Sequence, residues 1–283
     1  MAVARHRHFG RAAEAAYVTQ PALSQQVRRL EAELGVALLR RTSRGVALTP
    51  AGEDLLVRAE RILAEAAAAR GEMDEHAGVM RGAVRVAATT ADAPRLPEVL
   101  AAFHREHPAV RLALRQTSSS EVLALLRRGA VDLGVLALGG QASEGLAVTP
   151  LGSEPLRAIS GPDEPFGAVA IAVGDLRGRP FVLAEPGTAL RETVMAACQD
   201  HGFSPVPLLE VGDPATVRFL VNAGLGVSLV PASWLQREGP AVAVAALIEP
   251  APRLALSLLA AGELPPAGRL LAERLKDALE LAD

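Results

Sequence analysis

Four side chains near the start of the chain, Gln20, Ser24, Gln25 and Arg28, have the types and spacing to grip or read a polyanion. They share one side of a segment whose other side carries Leu23, Val27, Leu30 and Leu34 at spacings of four and three, the period of an amphipathic helix. Amide, hydroxyl and guanidinium groups on the first turns of a helix bond base edges or phosphates when that helix enters a major groove N-terminus first. A merely solvated polar face is the competing reading, and two neighbouring features weigh against it. Arg40, Arg41 and Arg44 follow in a glycine-containing loop placed to hold backbone phosphates. Residues 1–50 also carry a net charge of +5 while the remainder sums to −8, a local basic footprint on an otherwise acidic chain.

The elements that must position these groups are legible. Phe9, Ala12, Ala13 and Ala16 recur at helical spacing and predict one buried helix face. Tyr17-Val18 breaks that pattern, Thr19 is placed to N-cap the next helix, Pro21 sits in its first turn and Gly35 ends it. From Pro50 to about Gly78 runs one long helix of Ala, Glu, Arg and Leu, in which Leu55, Ala59, Ile62, Ala66, Ala69 and Met73 step by four and three. That is the spacing of a coiled-coil seam, although its alanines bury little area and the same helix would also serve as a solvated connector.

Gly78 to Gly82 is the expected boundary, after which the period changes. Strands are predicted at 83–88, 110–115 and 131–138, alternating with helices at 96–107 and 121–129. A second unit from about Ile159 has strands at 181–183, 208–211 and 227–230 and helices at 189–202 and 216–223. A last strand at 254–260 and a closing helix at 266–281 finish the chain. Alternating strands and helices predict parallel sheets with helices on their faces. Two such lobes, crossed twice by the chain, form a cleft that closes by hinge motion. Three strand-to-helix junctions carry groups suited to an anion: Thr89-Thr90, Ser118-Ser119-Ser120 and Gly187-Thr188. Each hydroxyl is equally explained as an N-cap; together they favour a small carboxylate-bearing ligand. Arg95 either pairs that carboxylate or is solvated.

Composition excludes several alternatives. Half the residues are hydrophobic but only eight are aromatic, so the cores must be built from Ala, Leu and Val. Cys198 is the single cysteine, which excludes an internal disulfide or a cysteine metal cluster and reads as a small buried hydrophobe on a helix. Lys276 is the only lysine, so Schiff-base and P-loop chemistry have no cleft lysine, and Gly140 to Gly145 lacks the residues that complete a phosphate loop. His104 and His107 lie three apart with no third ligand to join them, and read as a solvated face. No G-x-S-x-G elbow is present, so no enzyme and no cofactor are expected. No apolar run reaches spanning length and the first residues are basic and polar, so a cytoplasmic protein away from membranes is expected.

The stretch TQPALSQQVRRLEAELGVALLRR followed by GVALTPAG resembles the winged helix-turn-helix of LysR-type transcriptional regulators. Thr19-Gln20-Pro21-Ala22-Leu23-Ser24, Leu30-Glu31, Leu34-Gly35 and Leu48-Thr49-Pro50-Ala51-Gly52 carry the resemblance. EPGTALRE, VGDPATVRFLVNAGLGVSLVP and DLGVL extend it toward the C-terminus. It implies an all-α winged helix-turn-helix at 1–49 and a linker and dimerisation helix at 50–79. An α/β effector domain like the type 2 periplasmic binding proteins would follow, with lobe I at 83–158 and 259–283 and lobe II at 159–258. It also implies that Thr19, Gln20, Pro21, Ser24, Gln25, Arg28, Arg41 and Arg44 bind DNA and that Leu55, Ala59, Ile62, Ala66 and Met73 pair two copies. Thr89, Thr90, Ser118, Ser119, Ser120, Gly187 and Thr188 would surround the effector, with Ala91 where relatives often carry a hydroxyl. The implied partners are promoter DNA, a small effector, RNA polymerase and further copies in a dimer or tetramer. Two departures follow. Relatives begin with a helix that packs under the motif, and the eight residues before Phe9 are expected to leave it truncated and short of an apolar face. The two-cysteine switch of peroxide-sensing relatives is also missing. A solute-binding protein with a non-functional DNA-binding head is the alternative.

Overall fold

The computed structural model describes residues 1–42, 45–76, 80–140, 143–248 and 250–281. The chain divides into two compact units, Met1–Arg70 with Arg128–Ala130, and Gly71–Arg127 with Val131–Asp283.

In the first unit α1 (Ala2–His6) precedes α2 (Phe9–Ala15) and α3 (Gln20–Leu34). The expectation that the first eight residues supply no apolar face is corrected: Val3 is buried, and Arg7 in the left-handed region closes the short helix. The His8 ring caps α2, its Nδ1 accepting from Gly10 N at 3.1 Å. Ala12 and Ala13 are buried, whereas Ala16, expected beside them, is exposed because α2 has already ended. Thr19 caps α3 and Gly35, at φ 68°, ends it. The apolar stripe of α3 is covered over its first half only: Leu23 and Val27 are half-buried, but Leu30 and Leu34 are 42% and 48% exposed. The expected basic loop is a hairpin, β1 (Leu39–Thr42) antiparallel to β2 (Gly45–Leu48), with Arg41 opposite Val46. α4 (Pro50–His76) follows as one helix; Gly78 of the expected boundary lies outside the described residues.

The second unit contains β3 (Gly82–Thr89), a 3-10 turn (Ala93–Arg95), α5 (Pro97–Glu106), β4 (Val110–Thr117), α6 (Ser119–Arg127) and β5 (Leu133–Leu136). β6 (Ala147–Ser160) and β7 (Ala170–Ile171) follow, then β8 (Phe181–Ala184), α7 (Ala189–Asp200), β9 (Pro207–Val211), α8 (Pro214–Asn222) and β10 (Ser228–Pro231). A second 3-10 turn (Ala232–Gln236), β11 (Ala243–Leu247), β12 (Arg253–Ala260) and α9 (Pro266–Leu279) complete it. β3 pairs β4 and β5 in parallel, as alternating strands and helices require. The rest of that sheet departs from the parallel expectation, since β12 runs antiparallel to both β5 and β6, and β6 carries β10 and β11 antiparallel beyond it. β6 is a 14-residue strand that periodicity does not reveal, because Pro150, Gly152 and Pro155 punctuate it.

Among the described residues two large apolar cores result, with a smaller third one of Ile159, Val182, Val217, Val221 and Val230. The first joins β3, β5, α5 and α9 through Val84, Val86, Leu96, Phe103, Leu133 and Leu271. The second gathers Leu156, Ile171, Phe181, Leu183, Val194 and Leu229. The chain changes cores within strands, not at the boundaries expected from sequence: Leu156 and Ala158 of β6 already belong to the second core, and Leu256 and Leu258 of β12 have returned to the first.

Candidate nucleic-acid interface and effector cleft

The head is assembled by a few bonds that explain its motif residues. Glu31, one turn before the end of α3, accepts from both Leu38 N (2.8 Å) and Leu39 N (3.1 Å) through Oε1, fixing the start of β1 to the helix. Thr49 Oγ1 donates to Ala37 O at 2.7 Å and accepts from Gly52 N at 3.1 Å, so it both caps α4 and ties it to the same turn. Gly52 lies so close to the Leu38 carbonyl that a Cβ there would overlap it. Val46 N donates to Arg7 O at 3.0 Å, which holds the hairpin against the end of α1.

This framework presents a polar surface on α3. Gln20, Pro21, Gln25 and Arg28 are exposed and Ser24 is half-buried in its first turns, while no residue of the helix is fully buried. Thr19 is engaged as the cap, accepting from Ala22 N at 3.4 Å. Arg29 pairs with Glu33 one turn on, at 3.0 Å, and so is drawn toward its own helix. Arg40 is exposed on β1, beside Arg41 in the hairpin ladder; Arg44 lies outside the described residues. In α4, Leu55 and Ala59 are half-buried, Ala66 is exposed, and Ile62 and Met73 are 68% and 62% exposed. An apolar seam is therefore left uncovered along one chain.

In the second unit the three hydroxyl-bearing junctions converge. Thr89 and Thr117 are register partners at the carboxyl ends of β3 and β4, which sets Thr90 beside Ser118. Beyond the end of β5, Gly140 N donates to Glu192 Oε2 of α7 at 2.8 Å, bringing the Thr188 junction to the same sheet edge. Each junction also does its local work. Ser118 Oγ accepts from Glu121 N at 3.4 Å and lies 3.1 Å from Ser120 Oγ. Thr188 Oγ1 donates to Glu185 O at 2.8 Å and accepts from Arg191 N at 3.3 Å. Ser119 is buried, Thr90 is exposed, and Gly187 takes φ 79° to make the turn before α7. Thr89 Oγ1 is taken by Asp92 Oδ2 at 2.6 Å.

Arg95 is engaged inside the fold and is not solvated. Its Nη2 donates to Glu154 Oε1 and to Ser233 Oγ (2.7 Å), and its Nε lies 4.0 Å from Asp92 Oδ1. Burial pushes the Asp92 carboxyl above its ordinary pKa, opposed by Thr89, Arg95 and the Ala137 N–H. A second half-buried guanidinium at this edge is Arg237, whose Nη2 donates to Ala91 O at 2.8 Å. Burial lowers its pKa and nearby Arg95 lowers it further, while Asp92 and Glu154 act the other way. Asp92, Glu154, Ser233 and Arg237 carry no motif, and no local pattern in the sequence marks them. His107 makes a tilted ring contact with Phe103 at 4.9 Å, and among the described residues no cluster of three metal-ligating side chains occurs. Cys198 is fully buried in α7, and burial pushes its thiol up to about 11. Among the described residues no helix is long and apolar enough to cross a membrane.

A winged helix-turn-helix followed by a doubly crossed α/β unit defines a class of ligand-responsive DNA-binding proteins. The chain belongs to the LysR family of transcriptional regulators: residues 1–53 match the model for the bacterial regulatory helix-turn-helix protein of the lysR family, and residues 77–280 match that for the LysR substrate binding domain. It is a DNA-binding transcriptional regulator with an effector-binding domain. It is 32% identical to a hydrogen peroxide-inducible genes activator of Pectobacterium carotovorum subsp. carotovorum, over 99% of this chain and 93% of that one. Among solved structures, a full-length OxyR variant from Pseudomonas aeruginosa matches with TM-score 0.79 at 30% identity, covering 99% of this chain and 92% of that chain. Full-length CbnR complexed with its target DNA matches with TM-score 0.71 at 26% identity, covering 98% and 96%.

Proposed function

We propose that this regulator responds to a small anion held where the carboxyl ends of β3, β4 and β5 meet the start of α7. The observation that carries the reading is the convergence of the Thr89-Thr90, Ser118 and Thr188 junctions, since helix N-termini there offer N–H groups and a positive dipole end. Residues 83–158 with 259–283 and 159–258 act as two lobes closing on that anion, apart from the strand exchanges described above. A change in the angle between lobes alters how two heads engage promoter DNA, and bending a site costs on the order of 1–6 kcal/mol, enough to set output at RNA polymerase. The seam of Leu55, Ala59, Ile62, Ala66 and Met73 on α4, exposed at Ile62, Ala66 and Met73, supports pairing of two copies, which spaces two recognition helices for successive major grooves. Gln20, Pro21, Ser24, Gln25 and Arg28, with Arg41 and Arg44, then contact the site. Such a protein works in the cytoplasm, without a cofactor and without turnover.

Peroxide, the inducer named for its relatives, does not fit as a signal sensed by thiol chemistry here. The reacting species is a thiolate, and the single cysteine is buried with its pKa raised to about 11. Reporter assays of the chain on its own upstream DNA test the reading directly. Small carboxylates added singly should change output, whereas Thr90→Val with Thr188→Val should weaken the response; a response unchanged by these substitutions would remove the cleft from the mechanism.

A further inference from the structure

Glu154 lies midway along β6, opposite Leu254 of β12, at the level where the chain passes from one core to the other. Its Oε1 accepts from Arg95, which follows β3, and from Ser233 Oγ (3.0 Å), which follows β10; its Oε2 accepts from Ser233 N at 2.8 Å. One buried carboxylate thus joins a turn of the first lobe to a turn of the second. Arg237 lies beside Asp92, Arg95 and Glu154, and the two carboxyl groups favour its charged form. Arg237 is fastened differently from the other three. Its backbone is braced by Arg218, whose Nη1 donates to Arg237 O at 2.7 Å and whose Nε donates to Pro240 O at 2.9 Å. Its guanidinium is half-buried and reaches across to the Ala91 carbonyl, next to Thr90.

We propose that Arg237 is the release point of a lock on the angle between the lobes. While it holds Ala91 O, the turn after β10 has a second fastening to the end of β3 beside the Arg95–Ser233 bond; an anion in the cleft that takes the guanidinium removes that second fastening. Chemistry favours the exchange, because a carboxylate brings a full negative charge that the Ala91 carbonyl lacks, and the planar fork donates to both of its oxygens at once. The Glu154 cluster stays bonded throughout and serves as the pivot. This inference rests on the reading of the cleft as an anion site, and gives that site the positioning residue that reports occupancy.

The test uses the full chain with spin labels at Glu98→Cys and Ser204→Cys, both exposed, diluted with unlabelled chain so that distances within one protomer dominate. Sodium acetate and sodium benzoate are the probes. Arg237→Gln, with unchanged thermal unfolding, should move or broaden the interlobe distance by about 2 Å without any anion. Arg237→Lys, which keeps the charge and a donor, should restore the resting distance. The carboxylates should move the parent toward the Arg237→Gln distribution and leave that variant unmoved. A folded Arg237→Gln with the parent's resting distribution overturns the lock. If the carboxylates move the parent and Arg237→Gln alike, Arg237 is not the release point, although the cleft remains an anion site. If Arg237→Gln shifts the resting distance and neither carboxylate moves the parent, release by an anion is overturned together with the anionic reading of the cleft.

Discussion

Arg95 and Glu154, 59 residues apart, form a buried ion pair in which the carboxylate also takes the Ser233 N–H on its other oxygen. The pair therefore contributes through geometry as much as through charge: every acceptor on Glu154 is aimed at an element that a different strand delivers.

Removing one member should cost more than removing both. Arg95→Met strands two buried carboxylates, Glu154 and Asp92, and is expected to destabilise the effector unit by about 3–5 kcal/mol. Arg95→Met with Glu154→Leu should recover a large part of that loss. Urea unfolding of the four members of this cycle measures it; equal losses for the single and double variants would show that packing, and not the uncompensated charge, dominates.

Two glycines of the head should lose very different amounts of stability to the same substitution. Gly52→Ala drives a methyl into the Leu38 carbonyl where α4 meets the turn before β1, so the head should lose several kcal/mol, in line with other close-packed backbone contacts. Gly35→Ala meets no atom within 4 Å and carries only the left-handed backbone penalty, about 1 kcal/mol. Thermal unfolding of the two variants, read beside DNA affinity, separates a clash from a conformational cost.

How much of this was legible in sequence follows from what kind of signal each feature leaves. Thr19, Pro21 and Gly35 mark helix ends by local backbone chemistry, and α3 lies between them as expected. β6 and the Glu154 cluster leave no such mark. β6 is interrupted by two prolines and a glycine; Glu154 and Ser233 meet because β6 and β10 are neighbours in the sheet, and Arg95 reaches both from the turn after β3. For the same reason the sequence offers Arg95 an effector carboxylate or solvent, and not Glu154. The hydroxyl junctions were visible as residues, but that they share one edge depends on the β3–β4 register and on Glu192 reaching Gly140.

The exposed face of α3 should govern DNA binding in two distinguishable ways. Arg28→Ala removes a potential phosphate contact and is expected to weaken all DNA sequences alike and reduce the slope of log affinity against log salt by about 1. Gln25→Ala removes a base-edge donor and acceptor, and should cost about 1–3 kcal/mol on the specific site while leaving non-specific binding near the parent's. Fluorescence anisotropy on the chain's own upstream DNA and on a scrambled duplex, at two salt concentrations, reads both. An unchanged slope for Arg28→Ala would take that side chain off the phosphates.

Cys198 supplies a prediction with a defined sign. Burial raises its thiol from the ordinary value of 9.0 to about 11, so the unfolded chain releases this proton before the folded one does. Its contribution to stability is therefore fully present below pH 9.0, declines as pH rises and is lost above about 11, a total of about 3 kcal/mol at 1.36 kcal/mol per unit. Cys198→Ser should flatten the alkaline limb of the stability profile across that window. In the native chain at pH 8 a thiol reagent should react only as fast as the unit opens, and hydrogen peroxide should leave DNA affinity unchanged. Rapid labelling of native Cys198 at pH 8, or a peroxide-dependent affinity lost in Cys198→Ser, would place an accessible thiolate where the fold has buried a thiol.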